Sequence, residues 1–382
     1  MKICLLNVLH EPLDKRMYHK VGRSLLSAGH QLVSIAPKSA TNIEPDQAGR
    51  DDIQFVFTRP ASSFAARFRA AVRLIGLGRR EKADVYIAPE PESWVAALCI
   101  KALGGGKVVL DMHEHIPSEF AKFFPARMRP VIEWLTLRFM RLFARYTDLI
   151  ILTRESFDSM WSGLETPRVT VINTNHLQPP CASVPAELLA AYGDRPTLIH
   201  QGIFGDVRGS YQLLDAMQRI VAEIPDAVCI VLGRYVYGDV EAYRDAIKKA
   251  GLQDAVILVD AVPFEEVPAW ISVARVGLIL FQPGPMNHTL AMPHKLFDYM
   301  REGRPVVAPD FAVEVARIVR EADCGILVDT ASPEAIAEAA LRLLRHPDEA
   351  TRLGQNGRRL VEAKYNWRMD EERLIQAMEA LE

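Results

Sequence analysis

Short apolar runs of strand length recur along this chain, each followed by a segment of helical periodicity. That alternation constrains the fold more than any other feature. The first run, KICLLNVL, shows no inside–outside alternation, which marks a strand buried on both faces. After a polar loop holding Pro12, MYHKVGRSLLSAG has helical spacing and stops at Gly29. QLVSIAP, DVYIAP, KVVLDMHE, DLIILT and VTVIN continue the strands, with ESWVAALCIKALGGG as an intervening helix. The stretch QPPCASVPAELLAAYGDRP breaks the rhythm and reads as a boundary. The pattern then restarts with the strands TLIHQG, AVCIVLG, AVILVD, VGLILF, RPVVAP and GILV. Helices are predicted between them over Ser210–Ile224, Asp239–Ala250, Glu265–Val273, Lys295–Arg301 and Glu314–Ala322, and the tail from Pro333 to Glu382 reads as helical. Two α/β units with doubly wound parallel sheets are expected, residues 1–178 and 196–362.

Size agrees, since 382 residues exceed one ordinary hydrophobic core. The longest apolar runs, such as Val276–Phe281, fall far short of the ~20 residues that cross a bilayer. The N-terminus reads as a first strand rather than a signal peptide. Cys4, Cys99, Cys181, Cys229 and Cys324 are scattered, with no CxxC pair and no zinc spacing, which suits buried residues in a reducing cytoplasm. No metal site is expected. A net charge of −3 argues against nucleic-acid binding. The charge is unevenly spread: residues 1–180 carry 24 Lys and Arg against 18 Asp and Glu, and the remainder 21 against 30. The first half is therefore expected to face something anionic.

Two stretches are basic and amphipathic. One is SSFAARFRAAVRLIGLGRREK, with Phe64, Phe68, Val72 and Ile75 on one face and Arg67, Arg69, Arg73, Arg79 and Arg80 elsewhere; the other is FAKFFPARMRPVIEWLTLRFMRLFARY. Either each apolar stripe faces the core, or the pair forms a surface for anionic lipid or a lipid-diphosphate acceptor. ALGGGK precedes a strand rather than a helix and is no phosphate loop, and no Ser-His-Asp set or Walker motif is visible.

Five segments in order resemble the family 4 retaining glycosyltransferases of the GT-B fold, of the kind that builds bacterial surface polysaccharides. They are LDKRMYHKVGRSLLSAGHQLVSIAP, ADVYIAPEPES with VVLDMHEHIPSEF, HQGIFGDVRGSYQLLDAM, NHTLAMPHKLFDYMREGRPVVAPD and GQNGRRLVEAKYNWRMDEERL. The resemblance implies two Rossmann-like domains facing across a cleft, with a C-terminal helix of about 363–382 belonging to the first. It implies a nucleoside diphosphate sugar donor in the second domain and an acceptor in the first, either a saccharide or a polyprenyl-diphosphate-linked one. Peripheral contact of the first domain with the inner face of the cell membrane is an expectation of the same kind.

The chemistry needs positive charge where the diphosphate leaves. Arg208, just before Gly209 at a helix start, supplies a guanidinium where the family more often has lysine. Pro293, His294 and Lys295 open a helix whose N-terminus points at the donor phosphates by resemblance. Asp298 matches the second acid of the family's donor-ribose motif; its first acid falls at Leu290, and Asn287 is a stand-in. Gly202 and Gly233 are donor-approach positions. Ile203 stands where many relatives have a donor-binding arginine, and Arg234 is a replacement for that charge. His113, at the end of a buried strand, reaches the donor sugar or the reaction centre by resemblance, with Glu114 beside it as an acceptor residue or a helix cap. Glu90 and Arg16 are acceptor candidates, and Asp14 either binds acceptor or caps the following helix. Two other functions remain open: a sugar-nucleotide 2-epimerase, and a non-catalytic nucleotide-sugar-binding scaffold suggested by the departures at Leu290 and Ile203.

Overall fold

The computed structural model describes residues 1–38, 53–61 and 63–382, excluding the side chain of Phe64, so the place of Phe64 on the predicted stripe lies outside the described residues. The described chain divides into two compact units: Met1–Asn173 together with Trp367–Glu382, and Thr174–Asn366.

The first unit is built on seven parallel strands. In chain order it contains β1 (Lys2–Leu6), a π-wound turn (Met17–Gly22) running into α1 (Arg23–Ser27), β2 (Gln31–Pro37), β3 (Ile53–Thr58), α2 (Phe64–Glu81), β4 (Val85–Ala88), α3 (Pro91–Ala102), β5 (Lys107–Met112), α4 (Ile116–Ala121), α5 (Arg129–Ala144), β6 (Leu149–Leu152) and β7 (Arg168–Thr170). The sheet order is β3-β2-β1-β4-β5-β6-β7. The first apolar run is central, with Ile3 paired to Leu32 on one side and Val85 on the other. Ile3, Leu5, Val85, Ile87 and Val109 are fully buried, which is why these runs carry no polar alternation. From β1 the chain moves outward to β2 and β3, then returns to β4 on the opposite side of β1. The β1/β4 boundary is therefore the topological switch point, whose carboxyl edge is where doubly wound sheets place ligands.

The second unit begins earlier than the sequence suggested. The stretch read as a boundary contains α6 (Ala186–Tyr192). Then come β8 (Thr197–Gln201), β9 (Phe204–Gly205), α7 (Ser210–Glu223), β10 (Val228–Leu232), β11 (Tyr235–Tyr237), α8 (Val240–Lys249), β12 (Val256–Val259), α9 (Val267–Val273) and β13 (Val276–Leu278). The unit ends with α10 (Met286–Thr289), α11 (His294–Arg301), β14 (Val306–Pro309), α12 (Val313–Ala322), β15 (Gly325–Val328), α13 (Pro333–Arg345) and α14 (Pro347–Ala363). Six strands form a parallel sheet in the order β12-β10-β8-β13-β14-β15, with β9 and β11 as a small separate ribbon. Here the switch point lies between β8 and β13.

The last helix, α15 (Trp367–Glu379), packs into the first unit's core through Trp367, Leu374 and Met378. The Trp367 indole donates to Ser24 Oγ at 3.0 Å, and Asp370 accepts the Ile172 amide at 3.0 Å. Among the described residues no helix is long and apolar enough to cross a membrane.

Candidate functional site

In the second unit, positive groups collect at the carboxyl edge of the β8/β13 switch point. Gly209 lies at φ +80°, and a Cβ there would come within 2.6 Å of the Leu280 carbonyl. The tight turn it permits follows the 3₁₀ turn Asp206–Arg208 and places the Arg208 guanidinium 4.3 Å from the Phe281 ring centroid. Burial lowers the Arg208 pKa, with Tyr237 opposing it. Gly209→Ala is expected to destabilise the protein by about 2 kcal/mol through backbone strain and the carbonyl clash. Denaturant unfolding checks this, and a midpoint equal to wild type would exclude it.

Lys295 approaches from α11. Pro293 is the cap residue before that helix rather than its first residue, and His294 opens it half-buried. The Tyr299 hydroxyl receives the Gln201 amide at 2.9 Å and donates to the Ile199 carbonyl at 3.2 Å, tying α11 to the end of β8. Lys295 Nζ then lies 2.8 Å from His200 Nε2. A Cβ on Gly202 would sit 3.9 Å from Lys295 Cε, and one on Gly233 would fall 2.3 Å from the Gly202 carbonyl. Gly233 thus needs glycine for the two chains to come together, and Gly202 needs it for its φ of +95°. Burial first, and Arg208 second, hold Lys295 well below its ordinary pKa; burial and Lys295 do the same to His200. Nothing in the chain pattern singled out His200, one residue of the apolar strand TLIHQG. Asp298 is 1 % exposed, which excludes a surface acid, and its Oδ1 accepts the Asn175 amide at 2.6 Å. Expected from the sequence to meet the donor's hydroxyls, it is sequestered beside Lys295 and 3.9 Å from Arg301. Asn287 lies half-buried in α10, and Arg234 is exposed between β10 and β11. The cluster brings basic side chains and glycine backbone together, as an anion site requires.

In the first unit the switch point carries a hydrogen-bonded chain of five charged or titratable groups. Arg16 donates from Nε and Nη2 to the two oxygens of Asp111 at 2.9 and 2.7 Å, both residues being buried. His113 Nε2 lies 3.0 Å from Asp111 Oδ2, and His113 Nδ1 lies 3.2 Å from His10 Nε2. His10 Nδ1 lies 2.7 Å from Glu90 Oε1. The partners assign the protons. Each carboxylate demands an N–H, so His113 Nε2 and His10 Nδ1 are the donors, and a second N–H on the His10 ring would charge it. Burial opposes that charge, but the Glu90 hydrogen bond and charge raise the His10 pKa. Asp111 is held below the usual carboxylate range because Arg16 and His113 overcome its burial.

Three acceptor candidates are engaged within the protein, Asp14 in the capping role that was one of its two alternatives. Arg16 is directed into the protein, onto Asp111 and the Val171 carbonyl. Glu90 is buried, with its oxygens receiving the Val8, Leu9 and His10 amides and the Ser93 hydroxyl, so it holds the loop after β1 in place. Asp14 is a cap, accepting the Arg16 and Met17 amides at 2.8 and 2.7 Å. His113 stays at the strand end but has both ring nitrogens engaged, and Glu114 is exposed beside it. His10, which the sequence did not single out, is the residue that links them.

The His10–Glu90–His113 wall closes one end of a cavity of about 1090 Å³ within the first unit, running between α2, α3, α4 and α5. The stripe of α2 is not core-facing, since Phe68 and Val72 are 67 % and 55 % exposed. Arg67, expected off that face, lines the cavity and pairs with Glu92 at 2.6 Å.

With this geometry described, comparison with known proteins gives a consistent result. A family model described as Glycosyltransferase Family 4 matches residues 15–175, and one described as Glycosyl transferases group 1 matches residues 195–346. The chain is 26 % identical over 199 residues to the GDP-mannose-dependent alpha-(1-6)-phosphatidylinositol monomannoside mannosyltransferase of Mycobacterium tuberculosis, covering 51 % of each chain. It is 25 % identical over 183 residues to spore coat protein SA of Bacillus subtilis, covering 47 % of each. The chain thus spans about half the length of these relatives. Its fold is similar over its whole length to Anabaena Alr3699/HepE in complex with UDP, with a TM-score of 0.78 at 14 % identity and all of that chain covered. It is also similar to sucrose-phosphate synthase from Thermosynechococcus elongatus, with a TM-score of 0.77 at 18 % identity, covering 100 % of this chain and 99 % of that one. One family model thus falls on each of the two parallel-sheet units, and the chain belongs to the family 4, or group 1, glycosyltransferases of the GT-B fold.

Proposed function

We propose that the protein transfers a sugar, with retention, from a nucleoside diphosphate sugar to a saccharide or lipid-linked saccharide acceptor in bacterial surface-polysaccharide synthesis. The observation that carries this reading is the cluster of Arg208, Lys295 and His200 around Gly202, Gly209 and Gly233. It holds two cationic side chains beside one place where backbone can approach a ligand closely. The printed names of similar proteins point the same way, one GDP-mannose-dependent and another in complex with UDP. In the proposed reaction the bond between C1 and the diphosphate oxygen breaks while C1 bonds to the acceptor oxygen on the same face. The acceptor's proton passes to the leaving diphosphate. Arg208 and Lys295 stabilise the charge that develops there, so the proposal includes no resident metal. An acceptor hydroxyl that reaches His113 takes the place of His10 at Nδ1.

A thermal-shift screen against UDP, GDP, ADP, TDP and CMP, on wild type and Arg208→Ala, tests the proposal. One nucleotide at 100 times its dissociation constant is expected to stabilise wild type by about 2.7 kcal/mol, with the response collapsing in the variant. A wild type that responds to none of them, alone or as its sugar conjugate, would overturn the donor assignment.

A further inference from the structure

The cavity in the first unit has walls that a sugar does not need. Val72 and Ile75 of α2, Val95 of α3, Phe120 of α4, and Phe139 and Phe143 of α5 make it apolar along its length. Its volume, about 1090 Å³, exceeds what a hexose fills and lies at the upper end of small-molecule sites. Little net charge lies along the wall, because its charged groups pair with each other: Arg67 with Glu92, and Lys122 with Glu119. The exception is one end, where His10, Glu90, His113 and Glu114 stand. The polar end therefore coincides with the edge where the acceptor reacts, and the rest is suited to hydrocarbon.

The open side argues for the same occupant. Phe68, Val72 and Phe139 are 67 %, 55 % and 58 % exposed, a large apolar surface to leave in water. The two long helices that bound it, α2 and α5, carry eight arginines against two glutamates. Trp134 of α5 is more than half exposed, with Arg138 5.3 Å from its ring centroid. An apolar opening between two helices that carry this excess of arginine complements an anionic lipid surface.

We propose that this groove takes a single hydrocarbon chain of a lipid-linked acceptor, drawn out of the bilayer, with its phosphate-bearing head at the His10–His113 end. The proposal rests on the glycosyltransferase reading and deepens it by naming the acceptor class. It differs from adsorption to a membrane surface, because the chain enters the protein and reaches Trp94, which lines the groove.

The test uses the full chain and 12-bromododecyl phosphate, whose bromine quenches tryptophan only at contact. Wild-type fluorescence is expected to fall saturably, and Trp94→Phe to lose most of that quenching. Val72→Glu and Phe139→Glu replace exposed residues, so both are expected to fold, and each is expected to weaken the probe at least tenfold. Wild type without saturable quenching, or both glutamate variants binding as wild type does, would overturn the groove. So would binding to phosphatidylglycerol vesicles that is unaccompanied by probe binding, since that is surface adsorption. Nucleotide thermal shifts on the same proteins keep the two readings apart. Lost quenching with an intact nucleotide response sinks the groove alone. Intact quenching without any nucleotide response leaves a lipid-chain site and sinks the transferase reading beneath it.

Discussion

Replacing Lys295 by methionine is expected to raise the melting temperature of the nucleotide-free protein while lowering turnover by about 10²–10³-fold. The two effects have one cause. Lys295 is buried next to Arg208, and burial disfavours its charged form. Methionine keeps most of the volume and removes a group whose charged form burial penalises, while Asp298 retains Asn175 as a partner. A gain of about 1 kcal/mol corresponds to roughly 2–4 °C for a unit of this size. In the proposed reaction the leaving diphosphate needs that same charge, so the variant is also expected to lose its thermal response to nucleotide. The sign of the pH dependence follows. Lys295 is depressed in the free protein and restored by a bound anion, so nucleotide binding takes up protons and strengthens as pH falls through the interval between the two pKa values. Calorimetry in buffers of different ionisation enthalpy reads this directly. A variant that melts below wild type and keeps its nucleotide response would refute the account.

The second large effect is expected at Asp111. Asp111→Asn removes the carboxylate from a buried pair and leaves the Arg16 guanidinium without its counter-charge, at a cost of about 3–5 kcal/mol. The His10–His113 proton arrangement changes with it, because Nε2 of His113 loses its anion. Asp111 and Glu90 are both depressed in the folded protein. Their contribution is therefore present above the unfolded carboxylate pKa of about 4 and is lost as pH falls through their folded values. His10 has the opposite sign: its pKa is raised, so its share is full below about 6.5 and is lost as pH rises through the folded value. Urea midpoints across acid pH are expected to fall for wild type and to fall less steeply for the variant. Parallel curves would show that Asp111 is not the group responsible.

Periodicity made most of the strands legible, because a strand buried on both faces must be written in apolar residues. β3 escaped for the converse reason. It is an edge strand, and IQFVFT leaves Gln54 and Phe57 exposed. In the second unit, Arg208 and Lys295 could be named as candidates because each lies close to the start of a helix. His200 could not, since its partner lies 95 residues away, brought to it by the packing of α11 on β8. Arg16 and Asp111 are likewise 95 residues apart, and Asp111 lies within the strand KVVLDMHE with nothing local to point to its partner. Glu90 and His10 meet only because β4 pairs with β1. Sequence reasoning could name charged residues near strand ends. It could not tell which would be turned inward to hold others, as Arg16, Glu90 and Asp14 are.

The seat of α15 has a consequence for how the protein is made. Trp367, Leu374 and Met378 complete a core begun by Ile3 and Leu5, so the first unit to leave the ribosome is the last to be finished. At common elongation rates the wait from the last strand of the sheet to this helix is roughly ten to forty seconds. The second unit, Thr174–Asn366, is continuous and has all of its strands in hand before α15 is translated. During synthesis the early sheet therefore stands with an open apolar face, a natural client for chaperones. The closing helix acts as a latch, engaging only when the intervening unit is complete.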